Sequence, residues 1–321
     1  MGSQTLRRSL MFLVVALLLC VTPASADEKK KKNTDPAEIG SRDLNKRSLN
    51  FYSPEREAVL GAELAHEAEI TARVLGDPLV LSYVKEVADR VARNSDLQLP
   101  VHVCVVDSDL IGAFALPGGH FFVTTGLLRE TRSEAELAGV VAHGIAHVAA
   151  RHGTKQMSRA QLWNYLSLPL GFVSGPVAAG MRSGMMLAMP LSFLKFSRNF
   201  EREADSLGLQ YDYASGYDPA AMVDFFERMK AREKEKDHGS IAKIFSSHPM
   251  TKDRIVAAER TIEQSLPSRG QYVVTTSRFE EVRLHLHQLE VDRVRAEKIY
   301  GPDPLGRKNP SEVGTLFGWP N

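Results

Sequence analysis

A helix that begins after Ser133 constrains the fold of this chain more than any other segment. Ser133 is a typical N-cap residue, and Glu136 stands three positions later, as in a capping box. The apolar side chains that follow repeat at helical spacing and form one face, made of Leu137, Val140, Val141, Ile145 and Val148. A face this apolar must be buried, so the pattern predicts a helix in the centre of the core.

Segments on both sides of this helix predict a mainly helical α+β fold with a small β-sheet. The predicted helices cover residues 53–75, 78–94, 196–213, 219–233 and 277–300. β-Branched and apolar residues at 100–107, and two extended pieces at 113–125 hinged at Pro117-Gly118-Gly119, predict the sheet and a hairpin. The sequence has no internal repeat, which argues against a helical-repeat array within it.

The first 26 residues predict a secretory signal peptide. Two arginines precede an uninterrupted apolar run at 11–21, and residues 23–26 offer a small-residue cleavage site. A lipoprotein signal ending at Cys20 fits less well, because the residue before this cysteine is a leucine and such signals need a small one there. We therefore expect a mature chain that begins at Asp27 and resides in the periplasm, possibly in association with the membrane.

The rest of the sequence is expected to divide into three parts. Polar residues 27–50 predict a flexible tether. Residues 51–266 are expected to form one folded domain, and residues 267–321 a C-terminal extension that ends in a charged helix. Residues 160–181 carry no charge, but polar, proline and glycine residues interrupt them, so we interpret them as helices that cover a cleft or touch a membrane surface rather than span it.

Charge and cysteine content argue against two classes of protein. The chain has 40 lysine and arginine residues against 39 aspartate and glutamate residues, a formal charge of +1. Because positive and negative charges nearly cancel, the chain has no overall attraction to nucleic acid, and we expect no nucleic-acid partner. Removal of the predicted signal peptide leaves Cys104 as the one cysteine, which excludes a disulfide-stapled domain and predicts a buried, inert thiol.

Two pairs of residues have the spacing of metal ligands. His143 and His147 lie four positions apart on the predicted central helix, which places both imidazoles on one face. Glu201 and Asp205 repeat this spacing on a later helix, where Glu201 is a candidate third ligand and Asp205 a candidate acceptor for a ring N–H. Taken alone, such histidine pairs are more often packing residues, and acidic helices are more often solvated faces.

Four short segments occur in a specific order between residues 51 and 266. They are A-F-A-L-P-G-G at 113–119, V-V-A-H-G-I-A-H-V-A-A-R-H at 140–152, S-R-N-F-E-R-E-A-D at 197–205 and S-H-P-M-T-K-D-R-I at 247–255. In this order they resemble the zinc metallopeptidase family that includes the CAAX prenyl protease and the bacterial envelope protease BepA. The resemblance implies a zincin-like domain with one active-site helix and a small sheet.

The resemblance also implies roles for individual residues. By position, it implies one Zn²⁺ held by His143, His147 and Glu201, with Asp205 behind these ligands and His248 and Arg254 beside the metal in the cleft. It implies that an extended or unfolded polypeptide substrate adds its backbone to the strand of Ala113, Phe114, Ala115 and Leu116.

One position departs from the family pattern in a way that concerns the reaction itself. In H-E-x-x-H the glutamate is the general base that accepts a proton from the attacking water, and position 144 is Gly144. Loss of a positioned base typically removes about 10²- to 10⁴-fold in rate. Glu136 is expected to lie too far along the helix to replace it, and Glu203 to point away from the metal. His120, where the family usually has an aromatic residue, and Gly112, where it often has asparagine, are further departures expected near the cleft, and His120 is a weak candidate for a replacement base.

Three interpretations follow. The first is a zinc metalloendopeptidase of the bacterial envelope that acts on unfolded or misassembled proteins, with activity impaired at Gly144. The second is a zinc-stabilised pseudo-peptidase that binds extended polypeptides as a chaperone or adaptor without cutting them. The third, a membrane-embedded prenyl-type protease, lacks a clean second apolar span. The intact remainder of the site favours the first.

Overall fold

A computed structural model describes residues 35–46, 48–167, 196–234, 248–249 and 251–300 of the chain. The predicted signal peptide, the first part of the predicted tether and most of the apolar segment 160–181 lie outside these residues, and so do residues 301–321 of the predicted extension.

The described part of the chain contains nine α-helices and one three-stranded sheet. The helices are α1 (Pro54–Thr71), α2 (Pro78–Arg93), α3 (Thr125–Glu130), α4 (Glu134–Ala149), α5 (His152–Ser167), α6 (Arg198–Ala214), α7 (Ala220–Lys234), α8 (Lys252–Ser265) and α9 (Ser277–Tyr300). The strands are β1 (His102–Val106), β2 (Ala113–Leu116) and β3 (His120–Thr124). The predicted mainly helical α+β class, with a small sheet, is confirmed.

The sheet has the order β1-β3-β2, so β3 is central. It pairs in parallel with β1 and antiparallel with β2, where Ala115 stands opposite Phe121. The turn between β2 and β3 contains Gly118 and Gly119 with φ values of 79° and 90°, a backbone region that side chains disfavour. The predicted hairpin is therefore present, and it holds β2 at the sheet edge beside α4.

Helix α4 lies in the centre of the core, as its apolar face predicts. It packs against α2, α6, α7 and β2, and nearly its whole length is buried. Ser133 caps it, since its Oγ accepts a hydrogen bond from the Glu136 N–H (3.2 Å). A Cβ at Gly208 of α6 would lie 3.1 Å from the backbone nitrogen of His143, so a glycine here allows α6 to approach α4 closely at the level of that histidine.

Helix α1 ends earlier than the sequence pattern predicts. The helix stops at Thr71, and the following residues run beside β1 instead. The Leu75 N–H donates to the Val105 carbonyl and the Asp107 N–H donates to the Arg73 carbonyl, each at 2.8 Å. This pairing gives the backbone groups hydrogen-bond partners in β1 and directly after it. A further helical turn would have removed these bonds and left the Val105 carbonyl and the Asp107 N–H in need of other partners.

Helix α8 is absent from the sequence-based prediction. Its N-cap is Thr251, whose side chain accepts from the Arg254 N–H (3.4 Å), and Asp253 lies in its first turn. This capping pattern was a readable start signal. The apolar periodicity is weak, because Ile255 and Ala258 are its buried apolar residues, and this explains the omission.

The predicted tether is corrected in its described part. Residues 35–46 and 48–50 pack on the domain rather than extending from it. Arg42 and Asp96 form a buried ion pair at 2.7 Å, with both side chains 2% exposed, and Leu44 belongs to the core. The Asn45 side-chain amide donates to the Ala149 carbonyl at the end of α4. A few buried polar contacts thus order a segment whose composition alone indicates flexibility.

The predicted boundary at residue 266 does not coincide with a break in packing. Phe279, Val282 and Leu286 of α9 are buried in the same core cluster as the central helix. Thr276, just before α9, hydrogen-bonds the buried carboxylate of Glu134 at the start of α4. The described part of the predicted extension therefore completes the domain.

Helix α5 covers the first part of the uncharged segment 160–181, as expected for a helical interpretation. None of the helices in the described ranges combines the length and apolar character required to cross a lipid bilayer.

Cys104 lies in β1 and is buried. Burial, with a smaller contribution from Glu69, raises the pKa of its thiol to about 11. The thiol is therefore neutral at physiological pH, which agrees with the prediction of an inert packing residue.

Candidate metal centre

Two histidines of α4 and one glutamate of α6 converge in the interior. His143 Nε2 lies 3.1 Å from His147 Nε2. Glu201 faces both rings, with Oε2 3.6 Å from His143 Nε2 and Oε1 3.6 Å from His147 Nε2. All three side chains are buried. The packing of α6 against α4 therefore brings the three expected ligands to one point.

His248 and Arg254 reach the same point from the segment before α8 and from α8 itself. His248 Nδ1 lies 2.7 Å from Glu201 Oε1, and Arg254 Nη1 lies 2.8 Å from Glu201 Oε2. His143, His147, Glu201 and His248 each offer a ligand atom, and these atoms lie within 4.8 Å of one another. Across the described ranges, no second cluster of at least three such side chains is found.

The geometry of this cluster fits one tetrahedral metal ion. Ligands about 2.1 Å from a tetrahedral zinc ion lie roughly 3.4 Å from each other, and the three separations among His143, His147 and Glu201 are 3.1, 3.6 and 3.6 Å. Glu201 Oε2 is also buried without an aligned hydrogen bond from any described residue, although the Arg254 guanidinium is near. Two imidazoles and a carboxylate are one of the ligand sets found in catalytic zinc sites.

Asp205 lies behind His143, one turn after Glu201. Its Oδ1 is 3.1 Å from His143 Nδ1, at an angle that falls short of a hydrogen bond. Arg254 holds the carboxylate with two hydrogen bonds, from Nη2 at 2.6 Å and from Nε at 2.7 Å. Burial would raise the pKa of Asp205, but Arg254 and His143 bring it below its usual value. An ionised Asp205 favours a proton on His143 Nδ1 and leaves Nε2 free for a metal.

The protonation states of the other ligands suit a cation in the same way. Burial would raise the pKa of Glu201, but His248, His143 and Arg254 lower it below its ordinary value. Burial, followed by the nearby histidines and Arg254, holds the pKa of His147 well below its ordinary value. The centre therefore offers an ionised carboxylate and a neutral imidazole, the forms that bind metals.

His152 was not assigned a role from the sequence, although it ends the V-V-A-H-G-I-A-H-V-A-A-R-H segment. The side chain is fully buried, and its Nδ1 lies 3.0 Å from His147 Nδ1. Its Nε2 lies 3.3 Å from Glu203 Oε2, and its ring stacks on Phe200 at 4.3 Å. When His147 Nε2 faces a metal, its Nδ1–H can donate to His152, whose Nε2–H then donates to Glu203. The sequence signal that could have indicated this role of His152 was Glu203, a charged residue two positions after the candidate ligand Glu201.

An open cleft reaches the centre from one side. Its walls include β2, the aromatic residues Phe225 and Phe226 of α7, and Gly144. None of the described residues that line it is an aspartate or a glutamate. The structure therefore places no carboxylate where the general base of H-E-x-x-H would stand.

Two glutamates considered as replacements are held elsewhere. Glu136 accepts two hydrogen bonds from Arg228, at 2.7 and 2.6 Å, and it also accepts from the Arg132 N–H. Glu203 faces His152, on the side of His147 away from the cleft. The expectation that neither replaces the base agrees with these contacts.

His120 does not lie where the sequence comparison suggested. It starts β3 and stacks on His102 of β1, with ring centroids 4.9 Å apart, and it is not among the residues that line the cleft. Its cross-strand partner on β1 holds the ring at the sheet surface. Gly112, the other departure, does line the cleft.

Strand β2 supplies three of its four residues to the cleft. Ala113, Phe114 and Ala115 line it, whereas Leu116 is fully buried in a second core cluster. β2 pairs with β3 and with no other strand among the described ones. The expected edge strand, Ala113–Leu116, is present among the described strands, and the Leu116 side chain packs in the core.

Comparison with known proteins points to one family. The profile of Peptidase family M48 matches residues 78–262, more than half of the chain. The chain is 27% identical to the beta-barrel assembly-enhancing protease of Yersinia pestis, over 79% of its own length and 53% of that protein. Against the protein of that name from Escherichia coli K12 the values are 27%, 82% and 54%.

A second group of relatives is mitochondrial. The chain is 35% identical to the mitochondrial metalloendopeptidase OMA1 of Schizosaccharomyces pombe, over 58% of its own length and 52% of that protein. This chain thus spans about half the length of the curated relatives it matches.

Proposed function

Because the chain belongs to Peptidase family M48, a metallopeptidase family, we propose that it is a zinc metalloendopeptidase scaffold whose activity is impaired at Gly144. The observation that carries this proposal is the convergence of His143, His147, Glu201 and His248 within 4.8 Å at the floor of a cleft. When bound there, zinc would supply Lewis-acid activation of water and of the peptide carbonyl.

The chain's own residues would bind the substrate, stabilise the transition state and orient the ligands. The edge strand β2 would bind an extended polypeptide through its backbone, which positions a peptide bond over the cleft. His248 is near enough to the ligands to hydrogen-bond an oxygen that gains negative charge in the transition state. Arg254 holds Asp205 in place by two hydrogen bonds, and Asp205 in turn would orient His143.

The proton acceptor is the missing component. Gly144 has no side chain, and the described lining of the cleft contains no carboxylate. None of the described residues lining the cleft would then accept the proton of the attacking water as that glutamate does, and loss of such a base typically costs about 10²- to 10⁴-fold in rate. This same observation favours a second candidate, a pseudo-peptidase that binds extended polypeptides as a chaperone or adaptor.

We extend the proposal to partners and location by analogy with the relatives. The substrate class would be extended or unfolded polypeptide in the bacterial periplasm, reached through the predicted signal peptide. The names of the two bacterial relatives, beta-barrel assembly-enhancing proteases, support an envelope role. Contact of residues 160–181 with a membrane surface also remains part of the proposal.

The test is cleavage of an unfolded, labelled protein by the zinc-loaded chain and by Gly144→Glu and Gly144→Gln. Gln has the shape of Glu but cannot accept the proton. We expect Gly144→Glu to cut faster than Gly144→Gln, because only the carboxylate accepts the proton, and a chelator to abolish the difference.

Two results would contradict this expectation. Chelator-sensitive cleavage at equal rates in all three proteins would mean that another group accepts the proton. The second result is that every variant, including those as stable as the natural chain, binds the unfolded protein tightly but does not cleave it. This result would favour the pseudo-peptidase.

A further inference from the structure

We propose that the ring of Phe121 closes the space in which a side chain at position 144 would begin, so that Gly144 and Phe121 form one packed pair. Three contacts carry this inference. A Cβ built on Gly144 would lie 3.1 Å from Phe121 Cε1, 3.6 Å from Phe121 Cδ1 and 3.6 Å from Ala115 Cβ. Contacts of 3.6 Å are ordinary for carbon atoms, but 3.1 Å is tight, so the ring must shift by a few tenths of an ångström to admit a Cβ.

The surroundings of Phe121 restrict that movement. The side chain is 4% exposed and belongs to the main core cluster. Its strand, β3, is held on both sides, by β1 and by β2, where Ala115 stands opposite it. Dense packing leaves little room for the ring toward the core. The free space lies in the cleft, which Phe121 also lines.

A glutamate at position 144 would therefore compete with this ring. Either the ring shifts into the cleft, where the proposed polypeptide would lie, or the carboxylate is displaced from its place near the metal. The base position is thus closed by packing as well as by the missing carboxylate. The packing part of this inference stands on the contacts alone, and its consequence for catalysis rests on the proposed function.

Thermal unfolding tests the packing part without any assay of activity. An alanine normally stabilises a mid-helix position relative to glycine, which corresponds to a gain of about 2–4 °C in a domain of this size. We expect Gly144→Ala to give no such gain in the natural chain. In a Phe121→Val background, where the ring is absent, the same substitution should raise Tm by about that amount.

Phe122→Val provides the matched control. Phe122 follows Phe121 on β3, is equally buried, and stacks on Phe114 in the second core cluster. In this background Gly144→Ala should behave as it does in the natural chain. If Gly144→Ala raises Tm equally in the natural, Phe121→Val and Phe122→Val proteins, the ring yields freely and the inference is overturned.

Cleavage of an unfolded protein then tests the consequence. The double variant Gly144→Glu/Phe121→Val should cut faster than Gly144→Glu alone, by no more than about 10²-fold, which is the cost of displacing a catalytic group by about 1 Å. Equal rates in the two variants would overturn this consequence. A second outcome is that Gly144→Ala raises Tm only in the Phe121→Val background while neither glutamate variant cleaves the substrate. This outcome would support the packed pair and count against the proposed peptidase.

Discussion

The two histidines of α4 differ in the groups that hold their second ring nitrogens. His143 Nδ1 faces the carboxylate of Asp205 at 3.1 Å, whereas His147 Nδ1 faces a neutral ring, that of His152, at 3.0 Å. Such outer contacts orient metal-binding imidazoles and typically contribute 10- to 100-fold, as an order of magnitude, to metal affinity. Both histidines are therefore held by residues that are not themselves candidate ligands.

We expect His152→Phe to lower zinc affinity by roughly 10- to 100-fold. Phenylalanine keeps the stacking on Phe200 but cannot accept the His147 Nδ1–H. Competition with a chromophoric chelator measures the affinity. The control is His285→Phe, which removes a histidine paired with Asp77 in the contact between α9 and the start of α2. Unchanged affinity in His152→Phe would show that His152 only fills space.

Asp212 of α6 is a buried acid with no hydrogen-bond partner for its carboxylate among the described residues. Burial, with Asp218 nearby, raises its pKa well above the ordinary value. An acid with a raised folded-state pKa stabilises the fold least at high pH. Its contribution is complete below the unfolded value of about 3.9 and is lost as pH rises toward the raised value, by up to about 1.4 kcal/mol per pH unit.

We therefore expect Asp212→Asn to unfold at a higher temperature than the natural chain at pH 8, with a smaller advantage at pH 5. Asparagine keeps the shape of the side chain and does not ionise. The comparison is the difference in Tm at the two pH values. Asp224→Asn, at an exposed position of α7, should give no change in that difference. A constant advantage at both pH values would mean that Asp212 ionises normally.

At the scale of elements, the segment before α1 is held by one buried polar cluster. Asp96 accepts hydrogen bonds from Arg42, from the Gly40 N–H at 2.8 Å and from the Tyr211 hydroxyl at 2.8 Å. Arg42 also donates to Gln210 at 2.7 Å. The cluster therefore joins the N-terminal segment to the end of α2 and to α6, the helix that carries Glu201.

We expect Arg42→Met to lower the free energy of unfolding by about 3–5 kcal/mol, because it leaves a buried carboxylate without its charged partner. Urea denaturation measures this loss. Lys85→Met removes the exposed pair with Asp89 on α2 and should cost no more than about 0.5 kcal/mol. Equal effects of the two substitutions would mean that the N-terminal segment does not depend on this ion pair.

At the scale of the whole molecule, the candidate metal centre connects separate parts of the chain. Its candidate ligands come from α4, from α6 and from His248, which lies before α8. Arg254 of α8 pairs with Glu201 and with Asp205 of α6. An ion at this centre would join elements that meet only in the folded state, so its binding would add to the stability of the fold.

Zinc at about 100 times its dissociation constant should therefore stabilise the domain by about 2.7 kcal/mol. Differential scanning calorimetry with zinc and with chelator measures the shift in Tm. His147→Phe, which lacks one ligand, should show little shift. A zinc-dependent rise of the same size in both proteins would indicate binding elsewhere.

Much of the fold and of the centre could be predicted from the sequence because it depends on local patterns. The cap at Ser133, the apolar face of α4 and the glycine hinge before β3 each act within a few residues. The i, i+4 spacing of His143 and His147 places both on one face of any helix. That these residues meet Glu201 followed from the resemblance, since no local pattern relates two helices.

The tertiary structure alone decided the contacts between residues far apart in the sequence. Composition suggested a free tether and a separate extension, yet Arg42 pairs with Asp96 and Leu286 of α9 enters the main core. It also decided that Phe121 lies over Gly144. The propensity of a segment for helix or strand depends on neighbouring residues and can be inferred from them. Burial depends on which distant segments pack together and exclude water, and only the completed fold shows which segments these are.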